Sequence, residues 1–276
     1  MHPLQFKHAV DAALTEDLSL GDRTTDSIFT DEKGSAKIIS REEAVVAGLP
    51  VAAYVFAQVD DGVDFKLACT DGDLIKPGDV VATIEGSVAS ILKGERTALN
   101  FLQRMSGVAT LTRQAMQEVA GTKARIVDTR KTTPGLRVLE KYAVRVGGGE
   151  NHRFNLADMV MIKDNHIEGA GSITAAVERV RKHLGFPVKI EVEAATLPQV
   201  QEALDCGVDV IMLDNMNSED MTAAVGLVNG RALVEASGGI TAGRLGEVAQ
   251  TGVDLISLGY LTHRYRALDL TLKLNV

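Results

Sequence analysis

Between residues 128 and 166 the chain concentrates side chains that could bind a small, multiply charged anion. The segments 128–135, 147–153 and 162–166 place these side chains beside glycines and apolar stretches. The main candidates are Arg130, Lys131, His152, Arg153 and Lys163. Arginine offers a planar fork that matches a carboxylate or a phosphate, and lysine offers a compact charge. Because the cations lie at the ends of apolar runs, we expect a binding pocket rather than the alternative, a solvated basic surface.

The composition is that of an ordinary globular protein with an excess of acidic residues. The 276 residues are 45% hydrophobic and 24% charged, with a net charge of -8. This balance argues against nucleic-acid binding, which needs an extended basic face. The sequence has no apolar run of about twenty residues and no N-terminal pattern of a secretory signal, so neither a membrane span nor secretion is expected. Isolated Cys69 and Cys206 fit a reduced cytoplasmic protein better than a disulfide or a metal site.

The first 108 residues mix helices with short strands. Apolar residues at helical spacing predict a helix from residue 6 to near Glu16, and a second helix is expected around 51–58. Strand-like runs occupy 36–40, 44–47, 63–69 and 80–85. This pattern predicts a small α+β sandwich over residues 1–108, to which the segment 265–276 is a candidate to return. A long helix over 92–119 bridges the two halves, and Gly107 is expected to kink or divide it.

From about residue 124 strands alternate with helices, which predicts successive βαβ units and a parallel sheet. The six expected strands are 125–129, 159–163, 188–193, 208–214, 232–237 and 253–258. In the third strand Glu191 and Glu193 share one face and apolar residues share the other, and Glu235 with Ser237 repeats this alternation. An open sheet covered on both faces should be apolar on both, whereas a barrel can be polar inside. We therefore favour a parallel α/β barrel over residues 109–264.

Each predicted barrel strand finishes on a functional group, and catalytic groups of such barrels come from the C-terminal strand ends. These residues are Thr129, Arg130, Lys163, Glu193, Asp214, Ser237 and Ser257. After the last two strands, the segments 236–240 and 256–259 contain glycines whose backbone N–H groups could approach a phosphate. The alternative is a tight turn from strand to helix. Two such exits in succession favour phosphate.

Glu193 and Asp214 end consecutive strands, so their carboxylates could meet at the mouth of the barrel. They could bind Mg²⁺ directly or through water, balance nearby lysines, or accept hydrogen bonds from ribose hydroxyls. His152 is the candidate titrating group. Its neighbour Arg153 should disfavour the charged imidazolium, and an anionic ligand would restore it. His166 could equally stabilise its loop.

In their order and content these motifs resemble those of the quinolinate phosphoribosyltransferase family. The resemblance covers nearly the whole chain. Its motifs are Thr15–Asp17, Gly21–Thr25, Glu95–Thr97, Leu99–Leu102, Ser106–Gly107, Asp128–Gly135, Gly147–Arg153, Ile162–His166, Glu191–Glu193, Leu213–Asn215, Ser237–Gly239 and Gly259.

The resemblance implies a fold, an assembly and a chemistry. The fold would be an N-terminal open sandwich domain and an incomplete parallel α/β barrel. The assembly would be a homodimer in which Arg96 reaches the active site of the neighbouring subunit, with a hexamer left open. The chemistry would be transfer of phosphoribosyl from phosphoribosyl pyrophosphate to quinolinate with decarboxylation. It would use Mg²⁺ and no organic cofactor, as a step of NAD biosynthesis.

Residue roles follow from the same resemblance, position by position. The carboxylates of quinolinate would be bound by Arg130, Lys131, His152, Arg153 and Lys163, with Thr129 beside them. The ribose and metal side of the donor would be held by Glu193 and Asp214. The 5′-phosphate would lie against Ser237, Gly238, Gly239, Ser257, Leu258 and Gly259. Lys131 and Lys163 are the candidates to protonate the ring after carbon dioxide leaves.

Three other functions remain open from the sequence. A paralogue of the same fold associated with molybdenum transport would share the phosphate loops, although the complete cationic cluster favours quinolinate. A Schiff-base aldolase of sugar phosphates would use Lys163 or Lys189 as the nucleophile. A protein that only binds anions would need none of the chemistry.

Overall fold

The computed structural model describes residues 1–275 of the chain. Its α-helices are α1 (Lys7–Leu18), α2 (Thr25–Ile28), α3 (Leu49–Val59), α4 (Val88–Glu118), α5 (Arg137–Val146), α6 (Asp164–Ala170), α7 (Ile173–Arg181), α8 (Leu197–Asp205), α9 (Ser218–Val228), α10 (Leu245–Gln250) and α11 (Tyr260–His263). Short 3₁₀ helices occupy Pro3–Gln5 and Ala242–Arg244. The strands are β1 (Lys33–Ser40), β2 (Ala44–Val45), β3 (Asp64–Leu67), β4 (Leu74–Ile75), β5 (Val80–Ser87), β6 (Arg125–Val127), β7 (Val160–Ile162), β8 (Ile190–Ala194), β9 (Val210–Asp214), β10 (Leu233–Ser237), β11 (Leu255–Ser257) and β12 (Leu270–Asn275). No helix within residues 1–275 combines the length and apolar character needed to cross a membrane.

The chain forms two compact units that are not consecutive stretches of sequence. The first unit contains Met1–Arg113, Thr132–Gly148 and the chain from Tyr260 onward, and the second contains Gln114–Lys131 and Gly149–Gly259. This division differs from the predicted ranges 1–108 and 109–264, because 109–113, 132–148 and 260–264 belong to the first unit. The sequence shows which segments are apolar but not which sheet each one joins.

An antiparallel sheet in the order β12-β1-β5-β3 forms the centre of the first unit. The C-terminal strand β12 pairs with β1 along six residue pairs, from Ser35 opposite Asn275 to Ser40 opposite Leu270. The long helix α4 packs closely against α3. A Cβ added to Gly94 of α4 would lie 2.7 Å from the ring of Phe56 in α3. Phe56 is fully buried and stacks on Phe65 with 5.6 Å between ring centroids.

The helix α4 runs unbroken from Val88 to Glu118, so Gly107 does not divide it. A Cβ at this position would lie 2.2 Å from the carbonyl oxygen of Arg266 and 3.1 Å from the Tyr265 ring. Glycine is required here because the C-terminal segment of the chain passes directly over the helix. Its effect on helix propensity is secondary.

Six parallel strands in the order β6-β11-β10-β9-β8-β7 form the second unit. The first strand pairs with the last, which is the arrangement of a barrel that stays open between β6 and β7. This sheet and the separate antiparallel sheet confirm the predicted fold class. Each parallel strand is shorter than its predicted range, and every end lies within two residues of the predicted one, which is the usual uncertainty of element boundaries.

The two faces of this parallel sheet differ in the way the alternation predicted. One face is entirely apolar and is formed by Ile126, Val160, Ile162, Ile190, Val192, Ala194, Ile211, Leu213, Val234, Ala236 and Ile256. In register on the other face lie Met161, Glu191, Glu193, Met212, Asp214, Glu235, Ser237 and Ser257. Side chains of a strand alternate between faces, so the helices cover the first set and the second set is free to line a site.

Candidate active site

A cavity of about 350 Å³ lies at the C-terminal ends of the parallel strands. Every lining residue belongs to the second unit: Thr129, Arg130, Lys131, His152, Arg153, Met161, Lys163, Met212, Glu235, Ser237 and Ser257. The lining therefore combines four permanent cations with two methionines. Such a site suits a flat apolar molecule that carries several negative groups.

Two arginines bring like charges into this cavity. Arg153 is held by the carbonyl oxygen of Met159, 3.1 Å from Nη1, and by the sulfur of Met161, 3.7 Å from Nη2. Burial, together with the positive charge of Arg130, lowers the pKa of Arg153. Two cations whose charges oppose each other favour binding of an anion between them.

Lys163 lies at the exit of β7, directly before α6. Its Nζ is 2.5 Å from Oε2 of Glu193, whose side chain is only 13% exposed. The backbone N–H of Lys163 donates to Nδ1 of His166 at 2.9 Å, which fixes the turn from strand to helix. This gives His166 the loop-stabilising role that the sequence had left open.

His152 is anchored on two sides. Its backbone N–H donates to Oδ1 of buried Asp128 at 2.9 Å, and Asn151 donates to Oδ2 of the same carboxylate at 2.7 Å. On the ring, Nε2 lies 3.1 Å from Oε2 of Glu191 and 3.2 Å from Oε2 of Glu235. Both glutamates are fully buried.

These carboxylates determine the charge of the imidazole. Burial opposes the charge of His152, but Glu191 and Glu235 outweigh it and raise its pKa from 6.5 to about 10. The backbone N–H of Arg153 donates to Nδ1 at 2.8 Å, which by itself favours a neutral ring. The two buried carboxylates thus favour the charged ring, and the contact at Nδ1 favours the neutral one. Sequence reasoning expected an anionic ligand to favour this charge, and it did not foresee that two buried glutamates of the protein act in the same direction.

Behind β10 the backbone turns through two left-handed glycines, Gly238 at φ 87° and Gly239 at φ 58°. Asn215, which follows β9, is also left-handed at φ 55° and donates its backbone N–H to Ser237 O at 3.0 Å. Its side-chain amide donates to Oδ2 of Asp214 at 2.8 Å. Successive residues in such conformations present neighbouring N–H groups to an anion, which supports the phosphate interpretation of this loop.

Comparison with known proteins identifies the family of the chain. The model of the quinolinate phosphoribosyl transferase N-terminal domain matches residues 22–106, and that of the C-terminal domain matches residues 108–273. The chain belongs to the quinolinate phosphoribosyltransferase family. A protein of Synechocystis described as a probable nicotinate-nucleotide pyrophosphorylase [carboxylating] is 47% identical over 95% of this chain and 90% of its own. One of the same description from Bacillus subtilis is 44% identical over 100% and 96%. The crystal structure of NadC from Streptococcus pyogenes superimposes with a TM-score of 0.97 at 42% identity, covering 100% of this chain and 98% of that one.

Within this family member the predicted site residues fall into three groups. The cavity is lined by Thr129, Arg130, Lys131, His152, Arg153, Lys163, Ser237 and Ser257. At the adjoining strand exits lie Glu193, Asp214, Gly238, Gly239, Leu258 and Gly259. Arg96 belongs to α4 of the first unit, where it lines a different cavity of about 210 Å³ with Glu16, Asp17 and Arg104.

Sequence reasoning missed several contributors to the site. They are Asp128, Met161, Glu191, Met212, Asn215 and Glu235. A signal existed for the two glutamates, since each precedes a predicted site residue by two positions on the same strand face. The methionines gave no such signal, because an apolar residue in a strand predicts only burial.

Glu193 and Asp214 present the hard carboxylate oxygens that Mg²⁺ prefers. They lie on neighbouring strands and on the same face of the sheet. Glu193 on β8 is opposite Met212 on β9, and Asp214 lies two residues beyond Met212. Asp214 is partly exposed, so water and substrate oxygens could complete the coordination of an ion. The donor set therefore fits the metal that the sequence suggested.

Proposed function

We propose that this protein transfers the phosphoribosyl group of phosphoribosyl pyrophosphate to quinolinate. The products are nicotinate mononucleotide, pyrophosphate and carbon dioxide, in a step of NAD biosynthesis. The observation that carries this proposal is the cavity at the strand ends, which is lined by two arginines, two lysines, a histidine and two methionines. Quinolinate is a flat aromatic ring with two carboxylates and matches that combination.

The residues of the cavity divide the work of binding quinolinate. Arg130 and Arg153 offer forked donors to the carboxylates, and His152 lines the cavity beside them. Met161 and Met212 provide the polarizable contacts that suit an aromatic ring. Because the two arginines repel each other in the empty cavity, binding of the dianion relieves an unfavourable interaction as well as forming new ones.

The other substrate would occupy the strand exits beside the cavity. The loops 237–239 and 257–259 would hold the 5′-phosphate, and Glu193 with Asp214 would face the ribose. Mg²⁺ would be held by the same two carboxylates, directly or through water, and when bound it would offset the charge of the pyrophosphate group.

The reaction has two stages. In the first, the pyridine nitrogen forms a bond to C1 of the ribose while the bond from C1 to the pyrophosphate oxygen breaks and its electrons leave with pyrophosphate. The developing positive charge on the sugar is favoured by Glu193 and Asp214. In the second, the bond between C2 and its carboxylate breaks, and the electrons stay on the ring, where the positive nitrogen stabilises them. A proton then adds at C2, and Lys131 and Lys163 are the candidates to supply it.

We place this activity in a cytoplasmic homodimer. Arg96 would extend from one protomer toward the active site of its partner, and a hexameric assembly of dimers is compatible with this arrangement. The support is the position of Arg96 on α4, beside Arg104 in a cavity of its own unit. Size-exclusion chromatography with light scattering tests the assembly. Mixing an inactive Arg96→Ala chain with an inactive Lys163→Ala chain tests whether two protomers share an active site. Hybrid dimers would then regain one complete site.

The decisive assay supplies quinolinate, phosphoribosyl pyrophosphate and Mg²⁺ and measures release of carbon dioxide and pyrophosphate. Both should appear in equal amounts. Arg130→Ala should raise the KM for quinolinate far more than the KM for phosphoribosyl pyrophosphate. Arg125→Ala is the matched control, because Arg125 begins the same strand at its opposite end and pairs with exposed Glu150. An aldolase or a protein that only binds anions would release no carbon dioxide.

A further inference from the structure

We propose that Asp128 is a positioning residue, which holds the backbone that follows Glu150 so that Arg153 is fixed in the substrate cavity before quinolinate binds. The inference rests on the proposed function, because it takes quinolinate as the ligand of that cavity. Among residues 1–275, the lining of the cavity does not include Asp128, so its effect on the substrate must pass through the residues that it holds.

The first observation is a strand-like contact at the open edge of the parallel sheet. The sheet ends at β6 and β7, and Glu150 forms a parallel bridge with Val127 of β6. The N–H of Glu150 donates to the carbonyl oxygen of Ile126 at 2.9 Å, and the N–H of Asp128 donates to the carbonyl oxygen of Glu150 at 3.2 Å. At residue 150 the chain therefore begins to extend the sheet beyond β6.

The second observation is that the side chain of Asp128 acts where this ladder would continue. In a parallel ladder the next N–H of the added segment, that of His152, would donate to the backbone carbonyl oxygen of Asp128. This N–H donates to Oδ1 of the side chain at 2.9 Å, and the amide of Asn151 donates to Oδ2 at 2.7 Å. The carboxylate is fully buried. Both of its oxygens thus hold the same turn, and the loss of either hydrogen bond would leave a buried polar group unsatisfied.

The third observation concerns the residue that follows this turn. The guanidinium of Arg153 is bound at β7, the other edge strand. Its Nη1 lies 3.1 Å from the carbonyl oxygen of Met159, and its Nη2 lies 3.7 Å from the sulfur of Met161. The segment 150–153 therefore joins the two edges of the sheet. A side chain that extends from a segment held in this way has less conformational freedom to lose when a ligand binds.

The fourth observation is that the cavity without substrate needs a restraint. Arg130 follows Asp128 by two residues, and its positive charge acts on Arg153. Like charges favour separation of the two segments that carry them. Asp128 opposes this separation, because it belongs to one segment by its backbone and holds the other by its carboxylate. It thus keeps the two arginines at one spacing, which suits a rigid ring with two carboxylates.

A purely structural role is the competing interpretation, and the chain offers a matched control for it. The carboxylate of Asp254 also links distant parts of this barrel. Its Oδ1 lies 2.7 Å from Nζ of Lys123, and its Oδ2 accepts from the N–H of Val234 at 2.9 Å. Asp254 directly precedes β11, at the end of the strands opposite the cavity. Replacement of either carboxylate by an amide should destabilise the barrel, whereas only the change at Asp128 should act on quinolinate.

The kinetic test compares Asp128→Asn with Asp254→Asn in the full chain. Asparagine has a single acceptor oxygen, so Asp128→Asn keeps one of the two hydrogen bonds and sets an amide group against the other donor. It should raise the KM for quinolinate about ten-fold or more, while the KM for phosphoribosyl pyrophosphate changes less than about two-fold. Asp254→Asn should leave both KM values within that smaller limit. The reciprocal double variant Asp128→Asn/Asn151→Asp exchanges donor and acceptor and should recover part of the loss.

A second measurement needs no variant and keeps the inference testable if Asp128→Asn fails to fold. In the substrate-free wild-type protein, hydrogen exchange followed by mass spectrometry should show that the backbone of segment 150–153 is protected. Addition of quinolinate should change this protection little. Protection that arises only with quinolinate would overturn the inference, because the ligand and not Asp128 would then order the segment.

Three kinetic results would also overturn the inference. They are an unchanged quinolinate KM in folded Asp128→Asn, an equal rise of both KM values in that variant, and an equal rise of the quinolinate KM in Asp254→Asn. A double variant that binds quinolinate no better than Asp128→Asn would have the same consequence. Failure of the proposed function is distinguishable, because the wild type would then release no carbon dioxide while segment 150–153 stayed protected without substrate.

Discussion

Substitution of Gly238 by alanine should reveal how tightly the loop after β10 is fitted to the end of β9. A Cβ at Gly238 would lie 2.4 Å from Oδ1 of Asn215 and 2.6 Å from its Cγ. Gly239 is also left-handed, but a Cβ there would approach the same Oδ1 only to 3.6 Å, which is ordinary contact. The two alanine variants therefore share the backbone strain and differ in the collision.

The expected magnitudes follow from these contacts. An alanine in the left-handed region costs about 1–2 kcal/mol, of which about 0.4–1 kcal/mol is offset because alanine restricts the unfolded chain. Gly239→Ala should thus lose about 1 kcal/mol of stability. Gly238→Ala must in addition displace Asn215, at about 1–3 kcal/mol for overpacking, and break its hydrogen bond to Asp214, at about 1 kcal/mol. We expect a total loss of about 3–5 kcal/mol.

Thermal unfolding of the two variants and steady-state kinetics measure these effects. Because Asp214 loses its partner, Gly238→Ala should also raise the KM for phosphoribosyl pyrophosphate more than the KM for quinolinate. Gly226→Ala in α9, where a Cβ meets nothing within 4 Å, should instead stabilise the protein slightly. Equal destabilisation by Gly238→Ala and Gly239→Ala would refute the reasoning, since the collision would then have no cost.

Three further predictions concern packing and charge. Gly107→Ala should lower the free energy of unfolding by about 1–3 kcal/mol, because the added carbon would collide with the carbonyl of Arg266; an unchanged melting temperature would contradict this. Glu140→Ala should lower it by about 3 kcal/mol in urea unfolding, because this buried carboxylate accepts from Arg104 at 2.6 and 3.0 Å; a loss below 1 kcal/mol would mean that water compensates the arginine. His152 has a pKa raised to about 10, so its charge stabilises the fold fully below pH 6.5 and is lost as the pH rises through 10. The quinolinate KM should accordingly stay constant from about pH 6 to 9, and a rise centred near pH 6.5 would count against it.

Local sequence patterns were sufficient to predict the strand exits of the barrel. The alternation of apolar and polar residues has the period of a strand, and it placed Glu193 and Ser237 on the face that lines the cavity. Parallel strands bring their C-terminal ends to one edge of a sheet. Residues more than one hundred positions apart in the chain could therefore be assigned to one site before their distances were known.

Features that depend on contacts between distant segments could not be predicted in this way. The packing role of Gly107 could not be predicted, because propensity describes a helix alone, whereas the structure brings the carbonyl of Arg266 against this residue. The return of residues 132–148 to the first unit is a second case, since nothing in their spacing indicates which core they join.

Glu191 and Glu235 show how a buried charge can indicate a site that no short motif reveals. In a strand with apolar neighbours, a glutamate is destabilising in the absence of a compensating cation. Two such glutamates on strands of one barrel therefore predict a polar partner in the interior, and in this structure Nε2 of His152 lies 3.1 and 3.2 Å from them. Glutamates that alternate with apolar residues in barrel strands should therefore be considered together with the histidines of the preceding loops. In this chain that combination identifies His152, which lines the cavity at the strand ends.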